Sequence, residues 1–282
     1  MKITVNDLSF SYTRQPFIQE MSFQVKEGEI FGFLGPSGAG KSTLQKILTG
    51  LIPNYTGTAQ LAGMECRQHT DDFYEKIGVD FEYSTMYEKL TARQNLLFFG
   101  SLYKKQVRSI DSLLEQIGLE HDADKKVSDF SKGMRSRLNF IKALLHDPDI
   151  IFLDEPTSGL DPTNSRIMKD MIAAEKALGK TILLTTHNMA DAAELCDRVA
   201  FIVNGSIAAL DSPRGMIMQK GAAKVTYTYM EGEEKTGSCP LSHISEDRLL
   251  AGLVKENRIT SIHSSEPNLN DIFLEVTGRQ LV

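Results

Sequence analysis

The chain has 282 residues, of which 41% are apolar and 24% are charged. This composition is typical of globular domains and excludes long disorder and collagen-like or fibrous classes. The 31 basic residues are outnumbered by 37 acidic ones, for a formal charge of −6. Such a balance argues against a nucleic-acid binder that works by bulk charge.

Apolar runs and cysteines limit the cellular setting. The longest apolar stretches, such as Ile150–Leu153 and Val199–Val203, are strand-sized and far below the roughly 18 residues that span a bilayer. The first residues alternate like a strand and lack the apolar run of a signal peptide, which predicts a cytosolic protein. The three cysteines, Cys66, Cys196 and Cys239, are widely spaced and lack histidines at metal-ligand spacing. We expect them to be reduced, and either buried or incidental.

Two kinds of strand pattern occur along the chain. Near the N-terminus three segments alternate with period two, as half-buried antiparallel strands do: Ile3–Val5, Leu8–Tyr12 and Met21–Val25. Four other segments are continuous apolar runs, as expected for parallel strands that are covered on both faces: Ile30–Leu34, Ile150–Leu153, Thr181–Leu184 and Val199–Val203. Between these runs lie three amphipathic helical patterns, Ser42–Thr49, Met134–Leu145 and Arg166–Leu178. The alternation predicts a three-layer α/β core.

Two segments depart from the alternation. The interval from about Thr70 to Lys126 is predicted to be mainly helical, for example over Asp111–Ile117, and suggests an inserted helical subdomain. After Pro213 the pattern predicts a strand at Lys224–Met230, a polar turn at Glu231–Gly237 and a helix at Glu246–Glu256. We expect a main domain over 1–215, with a helical subdomain at about 70–147, and a small C-terminal α/β extension over 216–282.

A glycine-rich loop carries the strongest chemical signal. The pattern G-x-x-x-x-G-K-[ST] is matched by Gly35, Pro36, Ser37, Gly38, Ala39, Gly40, Lys41, Ser42 and Thr43, directly after an apolar strand and before a helix. In such a loop backbone N–H groups face phosphate oxygens, Lys41 reaches the outer phosphates and Ser42 can bind Mg²⁺. The loop therefore predicts a P-loop NTPase that uses ATP and Mg²⁺; the alternative is a flexible glycine turn.

Two adjacent acids, Asp154 and Glu155, end the buried run that begins at Ile150. Neighbouring side chains of a strand point in opposite directions, so Asp154 can bind the metal through water while Glu155 faces the γ-phosphate. Glu155 could then orient the attacking water as a general base. The alternative is that the two acids only cap the strand.

A third motif brings a family resemblance. Asp129-Phe130-Ser131-Lys132-Gly133-Met134-Arg135 lies about 20 residues before Asp154 and resembles the signature motif of ATP-binding cassette (ABC) ATPases. Ser131 is placed to cap a helix, and Ser131 with Gly133 offers donors at its positive end. The resemblance implies that this site grips the γ-phosphate of ATP held by the opposite subunit; the alternative is a plain capping turn.

Further elements of the family follow in order. Ser158-Gly159-Leu160-Asp161 resembles the D-loop, which shapes the subunit contact and brings Asp161 to the nucleotide site. His187 resembles the switch histidine, which implies that it senses the γ-phosphate and helps to hold the water. Tyr12 resembles the aromatic residue that stacks on adenine, with Phe10 as the alternative.

The sequence departs from the family pattern at two places. Glu82 stands where the family usually has Gln, and we expect it to be a metal-site residue that adds negative charge beside the phosphates. The form Phe-Ser-Lys-Gly-Met replaces the commoner Leu-Ser-Gly-Gly-Gln and resembles exporters of the daunorubicin type, as does the C-terminal stretch Glu266–Leu274. Six aromatic residues between Phe81 and Tyr103 either form a groove for a membrane subunit or fill the subdomain core.

The resemblance implies an ATP-hydrolysing subunit that sandwiches two ATP molecules with a second copy or with a homologous ATPase subunit. Its closure would drive a separate membrane-spanning permease, with export as the expected direction, from a peripheral position on the cytoplasmic face of the membrane. No nucleic-acid partner is expected. The alternatives are a non-transport ABC ATPase that acts on ribosomes or DNA, and a P-loop kinase of a small molecule.

Overall fold

A computed structural model describes residues 1–68, 70–81, 86–220, 224–265 and 268–278. The chain forms two compact units, Met1–Asp211 and Ser212–Gln280. The strands are β1 (Ile3–Phe10), β2 (Ile18–Val25), β3 (Ile30–Leu34), β4 (Thr56–Leu61), β5 (Met64–Glu65), β6 (Ile77–Asp80), β7 (Ile150–Asp154), β8 (Thr181–Thr186), β9 (Arg198–Val203), β10 (Ser206–Asp211), β11 (Lys224–Glu231), β12 (Glu233–Pro240) and β13 (Ile259–Ser265). The helices are α1 (Lys41–Leu48), α2 (Asp71–Tyr74), α3 (Ala92–Gly100), α4 (Ile110–Gln116), α5 (Lys132–Leu144), α6 (Pro162–Ala177), α7 (Met189–Leu195), α8 (Pro213–Lys220), α9 (Arg248–Lys255) and α10 (Leu269–Thr277).

A six-stranded sheet forms the centre of the first unit, in the order β10-β9-β3-β8-β7-β6. Neighbouring strands from β9 to β6 pair in parallel, and β10 pairs antiparallel with β9. All residues of β3, β7 and β8 are buried, as the continuous apolar runs predict. The predicted α/β core is thus confirmed, and its parallel strands all end at one edge of the sheet.

A second sheet, β2-β1-β4-β5, is antiparallel. The segments Ile3–Val5 and Leu8–Tyr12 were predicted as separate strands, whereas the structure joins most of both in β1. The pairing of β1 with β2 shifts register between Val5 and Leu8, where Asp7 has a φ of 48°. This irregularity puts Ile3, Val5 and Leu8 in the core although their spacing is not uniform.

The interval predicted to be mainly helical contains α2, α3 and α4, but it also contains a strand. Residues Ile77–Asp80 form β6, the edge strand of the six-stranded sheet, paired in parallel with β7. The sequence analysis did not identify this strand, because four residues are too few to show a period. Burial of Ile77 and Asp80 against the sheet decides the conformation.

The second unit contains a three-stranded antiparallel sheet in the order β12-β11-β13. The prediction of a long polar turn over residues 231–237 is wrong, because the turn is centred on Gly232 and the polar residues continue as β12. On one face of this sheet Val225, Tyr227 and Tyr229 pack with Leu250 and Leu253 of α9.

Among the residues that the structure describes, we find no helix with both the length and the apolarity needed to cross a lipid bilayer.

Gly78 in β6 allows α5 to approach the sheet. A Cβ atom at this position would lie 2.1 Å from the carbonyl oxygen of Ala143 and 2.8 Å from Cγ of Pro148. We therefore expect Gly78→Ala to lower the free energy of unfolding by about 1–3 kcal/mol, because a backbone group must move. Urea unfolding followed by circular dichroism measures the change.

Gly252→Ala is the matched control, since a Cβ atom there would meet no heavy atom within 4 Å. Within helix α9 alanine is favoured over glycine by about 0.5–1 kcal/mol, so stability should stay equal or rise. A Gly78→Ala variant as stable as the original chain would contradict the close approach.

Candidate functional site

The glycine-rich loop runs from the end of β3 to the start of α1, at the edge where the parallel strands end. Gly40, the residue before the helix, has a φ of 109°, which only glycine adopts readily. The Nζ atom of Lys41 donates to the carbonyl oxygens of Gly35 (2.7 Å) and Pro36 (3.2 Å). The lysine side chain therefore folds back over its own loop and is buried there, at 8% exposure.

A cavity of about 330 Å³ lies over this loop. It is lined by Phe17, Ser37, Gly38, Gly40, Lys41, Ser42, Thr43, Glu155, Ser158 and His187. Three loops thus bring the P-loop motif, Glu155 and His187 to one cavity. Ser131 and Gly133 are not among the described residues that line it, so one chain does not bring the signature motif to its own P-loop.

Asp154 is held at the strand end by two hydroxyl groups. Thr185 Oγ1 donates to Asp154 Oδ1, and Ser42 Oγ lies 3.4 Å from the same oxygen. The pairing of β7 with β8 places Asp154 opposite Thr185. The carboxylate is buried at 8% exposure, and its position beside Ser42 groups two oxygen donors of the kind that bind hard cations.

Glu155 follows directly and has an unusual backbone. Its φ is 53°, in the left-handed region, which costs a non-glycine residue about 1–2 kcal/mol. Its N–H donates to the carbonyl oxygen of Thr185 (3.0 Å), and its Oε2 lies 2.9 Å from Nδ1 of His187. The strained backbone thus presents the carboxylate to the histidine, whose ring is 60% exposed in the cavity.

Tyr12 lies beside the P-loop. Its Oη atom is 3.0 Å from Oγ1 of Thr43, and its ring meets those of Phe10 and Phe17 edge-on at centroid distances of 4.7 and 5.4 Å. Tyr12 is 59% exposed, whereas Phe10 is buried in the core. Of the two candidate adenine-stacking residues, only Tyr12 has a ring face open to a ligand.

The signature motif begins α5. Ser131 is the N-cap, and its Oγ accepts a hydrogen bond from the N–H of Met134 at 3.2 Å. No acidic side chain occupies the first turn of this helix. Asp161 is likewise the N-cap of α6, where Oδ1 accepts from the N–H groups of Thr163 and Asn164, and these bonds lower the pKa of Asp161.

A second cavity of about 520 Å³ lies between the signature helix and the acids of the strand ends. It is lined by Asp80, Phe81, Phe130, Lys132, Arg135, Ser136, Asn139, Asp154, Glu155, Pro156 and Ser158. Burial, with a smaller contribution from Asp154, raises the pKa of Asp80 to about 7, although the charge of Lys142 and the hydrogen bond that Asn139 donates to Oδ1 act in the opposite direction. This carboxyl is therefore largely protonated below neutral pH.

Several contacts at this edge involve residues that the sequence analysis does not single out. Thr185 holds Asp154, Asn139 holds Asp80, and Thr157 bonds Asp191. Thr185 could have been identified, because parallel strand ends meet at one edge. The other pairs join distant segments, and no local pattern marks them.

The predicted metal residue Glu82 lies outside the described residues. Within the described ranges, no group of three or more His, Cys, Asp or Glu side chains is arranged to hold a metal ion. Ser42 and Asp154 are the two predicted metal residues that the structure brings together.

Residues 18–158 match the family model described as ABC transporter. The fluoroquinolones export ATP-binding protein of Mycobacterium tuberculosis strain CDC 1551 is 46% identical over 99% of this chain and 94% of the relative. The Nod factor export ATP-binding protein I of Rhizobium meliloti strain 1021 is 35% identical over 99% of this chain and 89% of the relative. The linearmycin resistance ATP-binding protein LnrL of Bacillus subtilis strain 168 is 29% identical over 99% of each chain.

Solved structures show the same fold. The ATP-binding subunit of an ABC transporter superposes with a TM-score of 0.71 at 29% identity, over 78% of this chain and 93% of that one. A dimeric ATP-binding cassette in a post-hydrolysis state, bound to ADP and Pi, superposes with a TM-score of 0.66 at 24% identity, over 74% of this chain and 98% of that one.

Proposed function

The chain belongs to the ABC transporter family as an ATP-binding and ATP-hydrolysing subunit, and we propose that it powers export through a separate membrane-spanning permease. The observation that carries the proposal is the shared cavity in which Lys41, Ser42, Glu155 and His187 meet. This set supplies a phosphate cradle, a charge that reaches the outer phosphates and a carboxylate beside a histidine.

We assign ATP binding to the P-loop residues Gly35–Thr43. Phosphate oxygens would replace the carbonyl groups that now accept from Lys41 Nζ, and the N-terminus of α1 adds its positive end. Adenine would stack on the open face of Tyr12, whose hydroxyl contact with Thr43 fixes the ring beside the loop.

The donor set at the strand end fits Mg²⁺. Ser42 offers a hydroxyl oxygen and Asp154 a carboxylate, and Mg²⁺ typically takes one or two such ligands together with phosphate and water oxygens. Bound there, the ion would neutralise phosphate charge. Asp154 is kept in place by Thr185, so Ser42 does not hold it alone.

We assign Glu155 as the general base. Its carboxylate is placed to accept the proton of a water molecule that attacks the terminal phosphate. When both ring nitrogens of His187 carry a hydrogen, Nδ1 can donate to Glu155 Oε2 and Nε2 can donate to a phosphate oxygen.

A second subunit completes the site in this proposal. Ser131 and Gly133 begin a 13-residue helix, and the described lining of their own P-loop cavity does not include them. The N-terminus of that helix suits an anion, because its first turn has no acidic side chain. We therefore propose that two copies, or one copy and a homologous ATPase subunit, enclose ATP between P-loop and signature motif, with Asp161 of the D-loop at their contact.

The permease contact is assigned to an aromatic cluster around α3. Tyr87 packs against Phe98 and Phe99 with centroid distances of 5.1 and 5.9 Å, and Tyr87 and Phe98 are 50% and 41% exposed. Exposed aromatic rings that touch one another are typical of protein docking sites. Phe81 and Tyr103 are only partly buried, and Tyr103 stacks on His146 inside the subdomain.

Export is the direction that the relatives support. Of the three relatives described above, two are named for export, of fluoroquinolones and of Nod factor, and one for linearmycin resistance. If the chain consumes ATP as the partner of a permease, we expect it at a peripheral position on the cytoplasmic face of the membrane. The buried state of Cys66, Cys196 and Cys239 is compatible with a reducing compartment.

Glu155→Gln tests the catalytic assignment. The amide has the same shape and can still contact His187, but it cannot accept the proton, so ATP turnover should fall by about 10²- to 10⁴-fold. ATP binding should persist, and the dimer should accumulate when ATP is added. Phosphate release, ATP titration and light scattering measure the three effects, and turnover close to that of the original chain would overturn the assignment.

Substitutions at Tyr12 test the adenine contact. Tyr12→Ala should weaken ATP binding by about 1–3 kcal/mol, the usual loss when an aromatic ring leaves a base. Tyr12→Phe is the matched control, since it removes only the hydroxyl contact with Thr43 and keeps the ring. Calorimetric titration with ATP gives both affinities. Equal affinities for the alanine variant and the original chain would exclude Tyr12 as the stacking residue.

Capture of partners tests the transport function. The Glu155→Gln variant, tagged and expressed in its native cell, is held closed with ATP, and the membranes are extracted with detergent. We expect a polytopic membrane protein to co-purify. Ribosomal or nucleic-acid partners without a membrane protein would instead favour a non-transport ABC ATPase, although the ATPase chemistry would stand.

A further inference from the structure

Besides the contact between Glu155 and His187, a second side-chain contact connects the segments that follow these two residues. Thr157 lies two residues after Glu155, and its Oγ1 donates to Oδ2 of Asp191 at 2.6 Å. Asp191 lies four residues after His187, in the first turn of α7. One short hydrogen bond thus links the segment after the proposed base to the helix that follows the histidine.

Both carboxylate oxygens of Asp191 have a partner. The residue is 7% exposed, and its Oδ1 lies 3.3 Å from Nζ of Lys169 on α6. Its backbone N–H donates to Oδ1 of Asn188, the N-cap of α7, at 3.2 Å. A buried carboxylate with partners at both oxygens has little freedom to move, so it can set the position of the hydroxyl that bonds it.

The segment that contains Thr157 needs such a restraint. Glu155 starts a turn in which its carbonyl oxygen accepts from the N–H of Ser158 at 3.0 Å, and its φ of 53° is unfavourable for a non-glycine residue. A strained backbone persists only where surrounding contacts hold it. Within this turn, the bond from Thr157 to Asp191 supplies a side-chain contact to a different element.

We propose that Thr157 and Asp191 are a positioning pair that sets the geometry of Glu155 against His187. The inference rests on the proposed function of Glu155 as general base. We expect neither residue to touch the nucleotide, because Thr157 and Asp191 are absent from the described lining of the P-loop cavity. Their effect reaches the reaction through the two loops that they join.

The expected result is a loss of turnover without a loss of ATP binding. Thr157→Val keeps the shape of the side chain and removes its donor, so the carboxylate of Glu155 should be misplaced. A misplacement of about 1 Å costs about 100-fold in rate, so we expect kcat to fall by about 10- to 100-fold. KM for ATP should stay within about twofold, because the P-loop contacts are untouched.

Thr157→Ser is the matched control. Serine keeps the hydroxyl that bonds Asp191, so its kcat should stay within about threefold of the original value. Asp191→Ala and the double variant with Thr157→Val complete a cycle. If both residues act through one bond, the kcat of the double variant should be about equal to that of the single variant with the lower kcat.

Three results would overturn the inference: an unchanged kcat in Thr157→Val, a raised KM with unchanged kcat, or an equal loss in Thr157→Ser. If Asp191→Ala does not fold, the comparison of the valine and serine variants decides alone. Glu155→Gln is measured in parallel. Turnover retained there refutes the proposed base, whereas an inactive Glu155→Gln beside an unimpaired Thr157→Val refutes only the positioning pair.

Discussion

Parallel pairing of β3, β8 and β7 is the constraint on which the candidate site depends. In this register Leu34 lies beside Thr186, and Asp154 lies beside Thr185. The P-loop, the two acids and the histidine follow these strand ends directly, so one sheet edge receives all of them. A change of register would move Asp154 from the hydroxyl of Thr185 and separate Glu155 from His187.

Charge at this edge is balanced by protonation as well as by pairing. Asp80, Asp154 and Glu155 all line the second cavity, which shares Glu155 and Ser158 with the P-loop cavity, so negative charge would be concentrated beside the proposed nucleotide site. Burial raises the pKa of Asp80 to about 7, so one of the three acids gives up much of its charge near neutrality. Burial also lowers the pKa of Lys142, and the nearby carboxyl of Asp80 opposes that shift.

Local sequence patterns predicted those elements whose own residues are enough to indicate their conformation. Continuous apolar runs identified β3, β7 and β8, and the motif Gly35–Thr43 identified the loop and the start of α1. Strand β6 and strand β12 were missed, because one is too short to show a period and the other is too polar. The bonds from Tyr12 to Thr43 and from Thr157 to Asp191 join segments 31 and 34 residues apart, so only the fold reveals them.

The separation of P-loop and signature motif within one chain explains how ATP could do mechanical work. A ligand shifts a conformational equilibrium only by the difference between its affinities for the two states. The P-loop cavity alone would bind ATP equally in open and closed states. In the proposed dimer, contacts from a second chain's helix N-terminus, headed by Ser131, would exist only on closure. The binding free energy of those contacts would therefore become available to a partner that senses closure, and hydrolysis beside Glu155 would remove it again.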